Sequence, residues 1–274
     1  MKRVIAVWIL VFCLMSVLYA LWLSADIQQE YDSGDAAYEE LRDEVYPEDR
    51  PHLPSEESDS NSEAGSNKTN ESANPDSGDA GDSDSNKTIE VPDMDKVSEV
   101  NDELVAWITC PDTVIDYPIA YGEDNTFYLT HLANGKKNAN GCLFVDRNNA
   151  GDFSDPNTII YGHNMHSGKM FAALLNYRKQ DFYDSHRNMY LTYGDETYRL
   201  EIFSAYVTTS SSDAYKMRFQ SNPDYAKWLR EIADRSDFST DIMLSTNDRV
   251  LTLSTCAYDF ANARYVVHGR LVKK

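Results

Sequence analysis

The clearest hydrophobic pattern in the chain lies near its C-terminal end, in residues 250–271. Apolar and polar side chains alternate in the first part of this stretch, and β-branched and aromatic residues return in the last part. Asp259 and Asn262, which are common in turns, lie between the two parts. The pattern predicts a β-hairpin in which Cys256 ends one strand and Arg264 begins the next.

The rest of the chain after residue 91 also has the period of β-strands. Strand patterns cover residues 104–108, 114–119, 141–145, 157–161, 189–193, 198–208, 250–256 and 264–272. Helical patterns are fewer and cover residues 93–103, residues 168–177 and a longer segment that begins at Asn222, has Pro223 in its first turn and runs through Ile232. Eight strands with few, short helices predict a mainly β protein, a closed or nearly closed β-barrel, with the longer helix before the penultimate strand.

The N-terminal stretch has a different pattern. Residues 4–23 carry no charge, and as a helix they would rise about 30 Å, the thickness of the hydrocarbon core of a bilayer. Lys2 and Arg3 precede them and acidic residues follow, which predicts a cytoplasmic N-terminus and an extracellular remainder. A cleaved signal peptide is the alternative, but its apolar region is normally shorter, and residues 23–25 form a poor cleavage site. We therefore predict an uncleaved single-pass membrane anchor in residues 1–25.

Charge and composition separate the next segment from the barrel. The chain has a net charge of -20, and residues 24–90 alone hold 20 acidic and 4 basic residues. Residues 26–46 are compatible with a short acidic helix beside the membrane, whereas residues 47–87 lack the large apolar side chains that offset conformational entropy. We predict an acidic, disordered extracellular tether at 26–90 and a barrel domain at 91–274. No basic cluster is present to neutralise phosphates, which argues against a nucleic-acid partner.

The cysteines give no sign of a metal or cofactor. Cys13 lies in the apolar N-terminus, and Cys110, Cys142 and Cys256 lie in the predicted barrel. They show no C-x-x-C spacing, and the sequence has neither a cluster of metal ligands nor a phosphate-binding glycine loop. A bridge between Cys110 and Cys142 is one option, but two separately buried thiols are the favoured interpretation. We predict no metal and no cofactor.

Candidate chemistry centres on Cys256. A lone cysteine in an apolar strand is more often an inert core residue, but a nearby cation such as Arg264 favours the thiolate, the form that attacks a carbonyl. Upstream, an apolar strand ends directly before His163, and a cysteine with a distant histidine and a third polar group is an arrangement used for acyl transfer. His131, His166 and His268 compete with His163, but His268 lies about 13 Å further along its strand than Arg264, too far for the same rim.

These motifs together resemble those of the sortases, membrane-anchored cysteine transpeptidases of Gram-positive bacteria. The resemblance is carried by T-L-S-T-C ending at Cys256, by Arg264 at the start of the next strand and by Y-G-H-N-M around His163. The N-x-x-Y-L motif that begins at Asn125, and the helix before the penultimate strand, are similar to class B. The likeness covers roughly residues 94–271 and implies an eight-stranded sortase-type β-barrel.

The resemblance implies a role for each matching residue. Cys256 would attack the carbonyl of a threonine in a C-terminal sorting signal and form a thioacyl enzyme. His163 would act as general acid and then as general base, and Arg264 would hold the substrate backbone or stabilise the oxyanion. The residues implied in substrate binding are Ser254, Asn125, Leu129 and Tyr215. Two departures concern the wall of the groove: Ala257 replaces an acidic residue of some class B members, and the interval from Cys256 to Arg264 is short.

The implied partners are surface proteins with a sorting signal and an amine of peptidoglycan or of its lipid-linked precursor. A pilin lysine is an alternative acceptor, and an anchored, non-enzymatic binding barrel with a structural Cys256 is an alternative function. A papain-type hydrolase would need its cysteine at a helix N-terminus early in the chain. An L,D-transpeptidase would need Ser/Thr-His-Gly-Cys. The sequence has neither pattern.

Overall fold

The computed structural model describes residues 2–47 and 89–274. The helices are α1 (Lys2–Val45), α2 (Met94–Val100), α3 (Gln180–Ser185) and α4 (Asn222–Ala233). The strands are β1 (Leu104–Thr109), β2 (Asp116–Ala120), β3 (Leu143–Val145), β4 (Asn157–Tyr161), β5 (Asn188–Tyr193), β6 (Glu196–Thr209), β7 (Arg249–Cys256) and β8 (Ala263–Lys273). Short 3₁₀ helices cover Phe127–Leu129, Phe171–Arg178 and Asp213–Tyr215.

The eight strands close into a barrel in the order β1-β2-β3-β4-β7-β8-β6-β5, and β5 pairs with β1. The β2–β3 and β4–β7 pairs are parallel, and the other pairs are antiparallel. Closure leaves no unpaired sheet edge around the barrel. The prediction of a mainly β, eight-stranded barrel with an N-terminal helix and a longer helix before the penultimate strand is confirmed.

The alternating pattern of β7 divides the apolar residues between two cores. Leu251 and Leu253 point into the barrel and belong to its interior core. Val250, on the opposite face, belongs to a second cluster between the outer surface of the barrel and α4. Because Cys256 shares the alternation of Val250, its side chain lies on the outer face of the sheet. The nucleophile candidate is therefore outside the barrel core.

Helix α4 covers one part of this outer face. It begins after Ser221, whose side chain accepts a hydrogen bond from the amide of Asp224, and it buries an apolar stripe. The buried residues of this stripe are Tyr225, Trp228, Leu229 and Ile232. His268 lies completely buried beneath the helix, and burial lowers its pKa to about 3. This histidine is neutral and buried, and it lies away from the cleft, as its distance from Arg264 along the strand predicted.

Helix α1 is longer than the predicted anchor. From Val11 it contains a stretch that is apolar and long enough to cross a membrane. This stretch has a mean hydropathy of 1.6 and is not buried against the rest of the protein. A signal sequence meets the same criteria of length and composition. Tyr38, Leu41 and Val45 extend the helix beyond this stretch and are buried against the barrel. These three residues lie on one face of the helix and form an apolar stripe, although the segment as a whole is acidic.

The structure differs from the disordered tether predicted at 26–90 over its first part, where it agrees with the alternative of a helix at residues 26–46. Residues 26–45 continue α1 and pack on the barrel instead of forming a free chain. The physical reason is the apolar stripe, which a count of charges does not detect. The prediction of disorder for residues 47–87 falls almost entirely on residues 48–88, which lie outside the described residues.

Candidate active site

The hairpin of β7 and β8 places Cys256 directly opposite Arg264. The amide of Ala257 donates to the carbonyl of Ala263 at 3.1 Å, which makes that neighbouring pair the hydrogen-bonded one. Because the two kinds of pair alternate along an antiparallel ladder, Cys256 and Arg264 form a non-hydrogen-bonded pair, the kind in which facing side chains lie closest. The thiol and the guanidinium therefore emerge side by side from the outer face of the sheet.

The loop that joins these two strands is fixed by an ion pair. Arg178, at the end of a 3₁₀ helix, donates to both carboxylate oxygens of Asp259, at 2.9 and 2.6 Å. Asn262 adopts a positive φ of 62°, a conformation that asparagine tolerates, and it turns the chain into β8. The two turn residues singled out in the sequence thus hold the hairpin that carries the thiol and the guanidinium.

Parallel pairing of β4 with β7 brings His163 to the same rim. Beyond the last strand residue, the amide of Gly162 donates to the carbonyl of Ser254 at 3.1 Å. The hydroxyl of Thr255 returns a hydrogen bond to the carbonyl of Gly162 at 2.8 Å. The backbone that leads into His163 therefore continues alongside the end of β7.

A third contact links the residue after the histidine to the nucleophile. The side-chain amide of Asn164 donates to the carbonyl of Cys256 at 2.9 Å. Together with the two hydrogen bonds at Gly162, this contact ties the residues on each side of His163 to the last three residues of β7. The histidine is consequently held beside Cys256 by polar contacts outside the regular ladder.

The orientation of the His163 ring is defined by one hydrogen bond. Its Nε2 lies 2.7 Å from the carbonyl oxygen of Leu129, which can only accept, so Nε2 carries the proton. In the neutral ring, Nδ1 is then the nitrogen with a free lone pair. An imidazole with one nitrogen fixed in this way is able to donate and accept protons at the other.

All seven residues singled out in the sequence line one cleft with a volume of about 240 Å³. They are Cys256, His163, Arg264, Ser254, Asn125, Leu129 and Tyr215. The hydroxyl groups of Tyr215 and Ser254 are hydrogen-bonded at 2.8 Å, and the Tyr215 ring stacks on Tyr161 with ring centroids 6.3 Å apart. Burial raises the pKa of both tyrosines, so this wall of the cleft is neutral near physiological pH.

Asn125 and Leu129 contribute to the opposite wall in different ways. The side-chain oxygen of Asn125 accepts a hydrogen bond from the amide of Arg147 at 2.7 Å, which fixes the loop that bears it. Leu129 presents a partly exposed side chain to the cleft, while its carbonyl holds His163. Both residues therefore shape the cleft, Leu129 through its side chain and its backbone.

Arg264 carries the charge that the cleft presents to a ligand. Its guanidinium donates to the carbonyl of Ala263 at 3.0 Å. Among the residues that the structure describes, no carboxylate forms an ion pair with it, whereas Arg270 on the same strand pairs with Glu201 at 2.6 Å. Arg264 is accordingly available to a carbonyl oxygen or an oxyanion in the cleft.

Several residues of the site were not singled out in the sequence, among them Tyr161, Asn164 and Thr255. Tyr161 and Asn164 lie inside the Y-G-H-N-M motif, so the motif itself was a signal for them. Thr255 lies on the opposite face of β7 from Cys256, and strand alternation alone gives it no place in the cleft. Its role became visible only through the bond to the carbonyl of Gly162.

The remaining histidines of the region lie outside the cleft. His166 is exposed and stacks on Tyr258 with ring centroids 6.0 Å apart. His131 is hydrogen-bonded through Nδ1 to the carbonyl of Phe127 and stacks on that ring. The cleft therefore selects His163 among these three.

The cysteines of the barrel fall into two groups. Cys110 and Cys142 are free and buried, and burial raises the pKa of their thiols to about 11 and about 12. The interpretation of two separately buried thiols is confirmed. Cys256 is also free, but it is partly exposed to the cleft. Exposure beside a cation is the setting in which a cysteine reacts.

Comparison with known proteins gives one consistent result. A family model described as the sortase domain matches residues 108–272. The chain is 38% identical over 180 residues to sortase B of Listeria monocytogenes, an alignment that covers 65% of this chain and 73% of the relative. It is 32% identical over 184 residues to sortase B of Staphylococcus aureus, with 66% and 75% covered.

Solved structures agree with the sequence comparison. A structure of Staphylococcus aureus sortase B in complex with a substrate superposes with a TM-score of 0.63 at 32% identity and covers 66% of this chain and 85% of that chain. Sortase B of Clostridium perfringens superposes with a TM-score of 0.62 at 36% identity and covers 65% of this chain and 99% of that chain.

Proposed function

The chain belongs to the sortase family, class B, and on that premise we propose that it cleaves a C-terminal sorting signal through a thioacyl intermediate on Cys256. The observation that carries the proposal is the convergence of Cys256, His163 and Arg264 on one cleft. Sortase B of Staphylococcus aureus has been solved with a substrate, which supports a substrate in the corresponding cleft of this chain.

In the first half-reaction, the thiol proton of Cys256 passes to Nδ1 of His163, and the Sγ of Cys256 bonds to the carbonyl carbon of the threonine in the sorting signal. The amide C–N bond then breaks, and His163 gives a proton to the departing amine. The C-terminal peptide leaves, and the remainder of the surface protein stays attached to Cys256 as a thioester. Nδ1 is the nitrogen assigned to this transfer, because Nε2 is held by the carbonyl of Leu129.

In the second half-reaction, an amine attacks the thioester carbonyl and His163 accepts its proton. The new amide bond forms as the C–S bond breaks, so the thiolate of Cys256 is regenerated. Arg264 stabilises the oxyanion of both tetrahedral intermediates or holds the peptide backbone beside Cys256. One amide bond is broken and one is formed over the two steps, and the proton that His163 gives to the leaving amine is replaced by the proton it takes from the attacking amine.

We assign the apolar part of α1 as a membrane anchor, with the N-terminus cytoplasmic and the barrel outside the cell. The acceptor is then an amine of peptidoglycan or of its lipid-linked precursor, and the donors are surface proteins with sorting signals. Lys2 and Arg3 before the apolar stretch support this orientation. The uncleaved anchor is tested by the N-terminal sequence and mass of the mature protein.

The decisive experiment compares Cys256→Ala with wild type as full chains in detergent micelles. Both are incubated with a library of sorting peptides, with and without peptidoglycan-derived or pilin-derived amines. Wild type is expected to give cleaved and transpeptidated products, and the variant is expected to lose at least about a thousandfold in rate because the nucleophile is absent.

The matched control is Cys13→Ala, which removes the exposed cysteine of α1. It is expected to retain wild-type activity. A methanethiosulfonate reagent should add to Cys256 and stop cleavage in wild type and in this control. Full activity of Cys256→Ala would refute the enzymatic proposal and leave an anchored binding barrel.

A further inference from the structure

A chain of contacts leads from helix α1 to the His163 imidazole. We propose that Tyr38 of α1 is a positioning residue, which holds Gly141 and through it the His163 ring in the orientation needed for proton transfer. The inference deepens the proposed function, and its activity test rests on that function. The C-terminal part of α1, which packs on the barrel, would then contribute to the reaction as well as connect the barrel to the apolar stretch.

Tyr38 is the part of α1 that reaches the loop before β3. It is 2% exposed, and its hydroxyl donates to the carbonyl of Gly141 at 2.6 Å. Its ring and the ring of Tyr117 in β2 form a T-shaped pair, with ring centroids 5.2 Å apart. A phenol fixed by packing on one side and by a hydrogen bond on the other defines the position of the Gly141 carbonyl.

Two asparagines fasten the same loop to the helix backbone. The side-chain amide of Asn138 donates to the carbonyl of Glu30 at 2.7 Å, and that of Asn140 donates to the carbonyl of Tyr31 at 3.2 Å. At Gly34 the helix and the loop are so close that a Cβ would lie 2.5 Å from Asn140. A face of α1 is therefore shaped to receive this loop.

Gly141 is in turn wedged against the catalytic histidine candidate. It adopts a φ of +62°, and a Cβ there would lie 2.6 Å from the carbonyl oxygen of Tyr128. The same Cβ would lie 3.0 Å from the Cδ2 of His163 and 3.0 Å from the carbonyl oxygen of Leu129, the oxygen that accepts from Nε2. A shift of Gly141 therefore disturbs both the ring and its only described orienting bond.

Tyr46 provides the comparison that separates positioning from stability. It follows directly after the last residue of α1, is 4% exposed and donates its hydroxyl to the carboxylate of Asp116 at 2.7 Å. Its ring packs edge-on against Trp107, and it does not line the cleft. Tyr46→Phe removes the same atom, a tyrosine hydroxyl oxygen, from the residue that follows α1 and leaves the Gly141 loop untouched.

The first test measures kcat and KM for Tyr38→Phe and Tyr46→Phe, as full chains in detergent micelles. We expect kcat of Tyr38→Phe to fall about fivefold with KM changed less than twofold, because misplacement of a proton-transfer group slows chemistry more than binding. Tyr46→Phe should keep the wild-type kcat. Equal kcat values in the two variants, or a change in KM alone, would overturn the proposal.

The second test measures the NMR signal of the His163 ring and does not depend on catalytic activity. In full chains labelled with ¹⁵N-histidine, the Nε2–H signal of His163 is identified by its loss in His163→Gln. It should broaden through faster exchange with water in Tyr38→Phe and stay sharp in Tyr46→Phe; a sharp signal in both would overturn the proposal. A wild type that cleaves no sorting peptide refutes the proposed function, and this signal still decides whether Tyr38 positions His163.

Gly34→Ala supplies an independent perturbation of the same contact. Alanine strengthens a helix, so α1 itself should not be weakened, but the new methyl group would press on Asn140. A lower kcat together with a broadened His163 signal supports the proposal. Wild-type values of both would contradict it, because the helix–loop contact would then be irrelevant to the ring.

Discussion

The two halves of the cleft are assembled in different ways. Cys256 and Arg264 are eight residues apart in the chain and face each other through the register of one antiparallel hairpin. His163 precedes Cys256 by 93 residues and reaches it through a parallel pairing, which requires a long crossover. Strand register sets the pairing in the hairpin half, and the Arg178–Asp259 ion pair only holds its connecting loop, whereas the histidine half depends on polar contacts beyond the ladder. The histidine half should therefore be the easier one to loosen.

The largest effect is expected when the histidine half loses its functional group. His163→Gln removes the group that protonates the leaving amine, and kcat should fall about 10²- to 10⁴-fold. His166→Gln is the matched control, because this exposed ring lies only three residues away. Steady-state cleavage of a sorting peptide measures both. Equal losses in the two variants would show that the cleft does not distinguish these histidines.

A smaller effect is expected in the hairpin half. Arg264→Lys keeps the charge opposite Cys256 but loses the planar fork of donors, and kcat/KM should fall about tenfold to a hundredfold. Arg270→Lys, on the same face of β8 but paired with Glu201, should leave the rate unchanged. The two variants are compared by their kcat/KM for one peptide. A wild-type rate in Arg264→Lys would show that the positive charge at this position is sufficient and that the planar set of donors is not required.

The smallest effect is expected from one of the links between the two halves. Thr255→Val removes the bond to the carbonyl of Gly162, which should cost about 1 kcal/mol of unfolding free energy and lower Tm by about 2–4 °C. Because Gly162 leads into His163, kcat should also fall about threefold.

Thr252→Val sharpens this last prediction. Thr252 bonds to Asn157 of β4 at 2.7 Å, away from the cleft, and its loss leaves a buried amide without that partner. It should lower Tm at least as much as Thr255→Val while kcat stays at the wild-type value. If both variants slow the reaction in proportion to their stability loss, the link at Gly162 has no special role.

Local patterns predicted most of the barrel. The alternation in β7 and the turn residues after it correctly predicted the hairpin and the pairing of Cys256 with Arg264. The position of Pro223 correctly placed the start of α4. Strand order was not visible in the sequence, because it depends on which distant segments share a ladder, and no local preference encodes that choice.

The sequence by itself determined the elements, the two faces of each strand and the residue types able to carry acyl transfer, since each of these follows from neighbours in the chain. Only the tertiary structure showed that α1 continues to Val45 and docks through Tyr38, and that Gly141 and the carbonyl of Leu129 hold the His163 ring. These contacts join residues far apart in the chain through single backbone oxygens. Every residue has such an oxygen, so its partner is chosen by the packed fold and not by residue type.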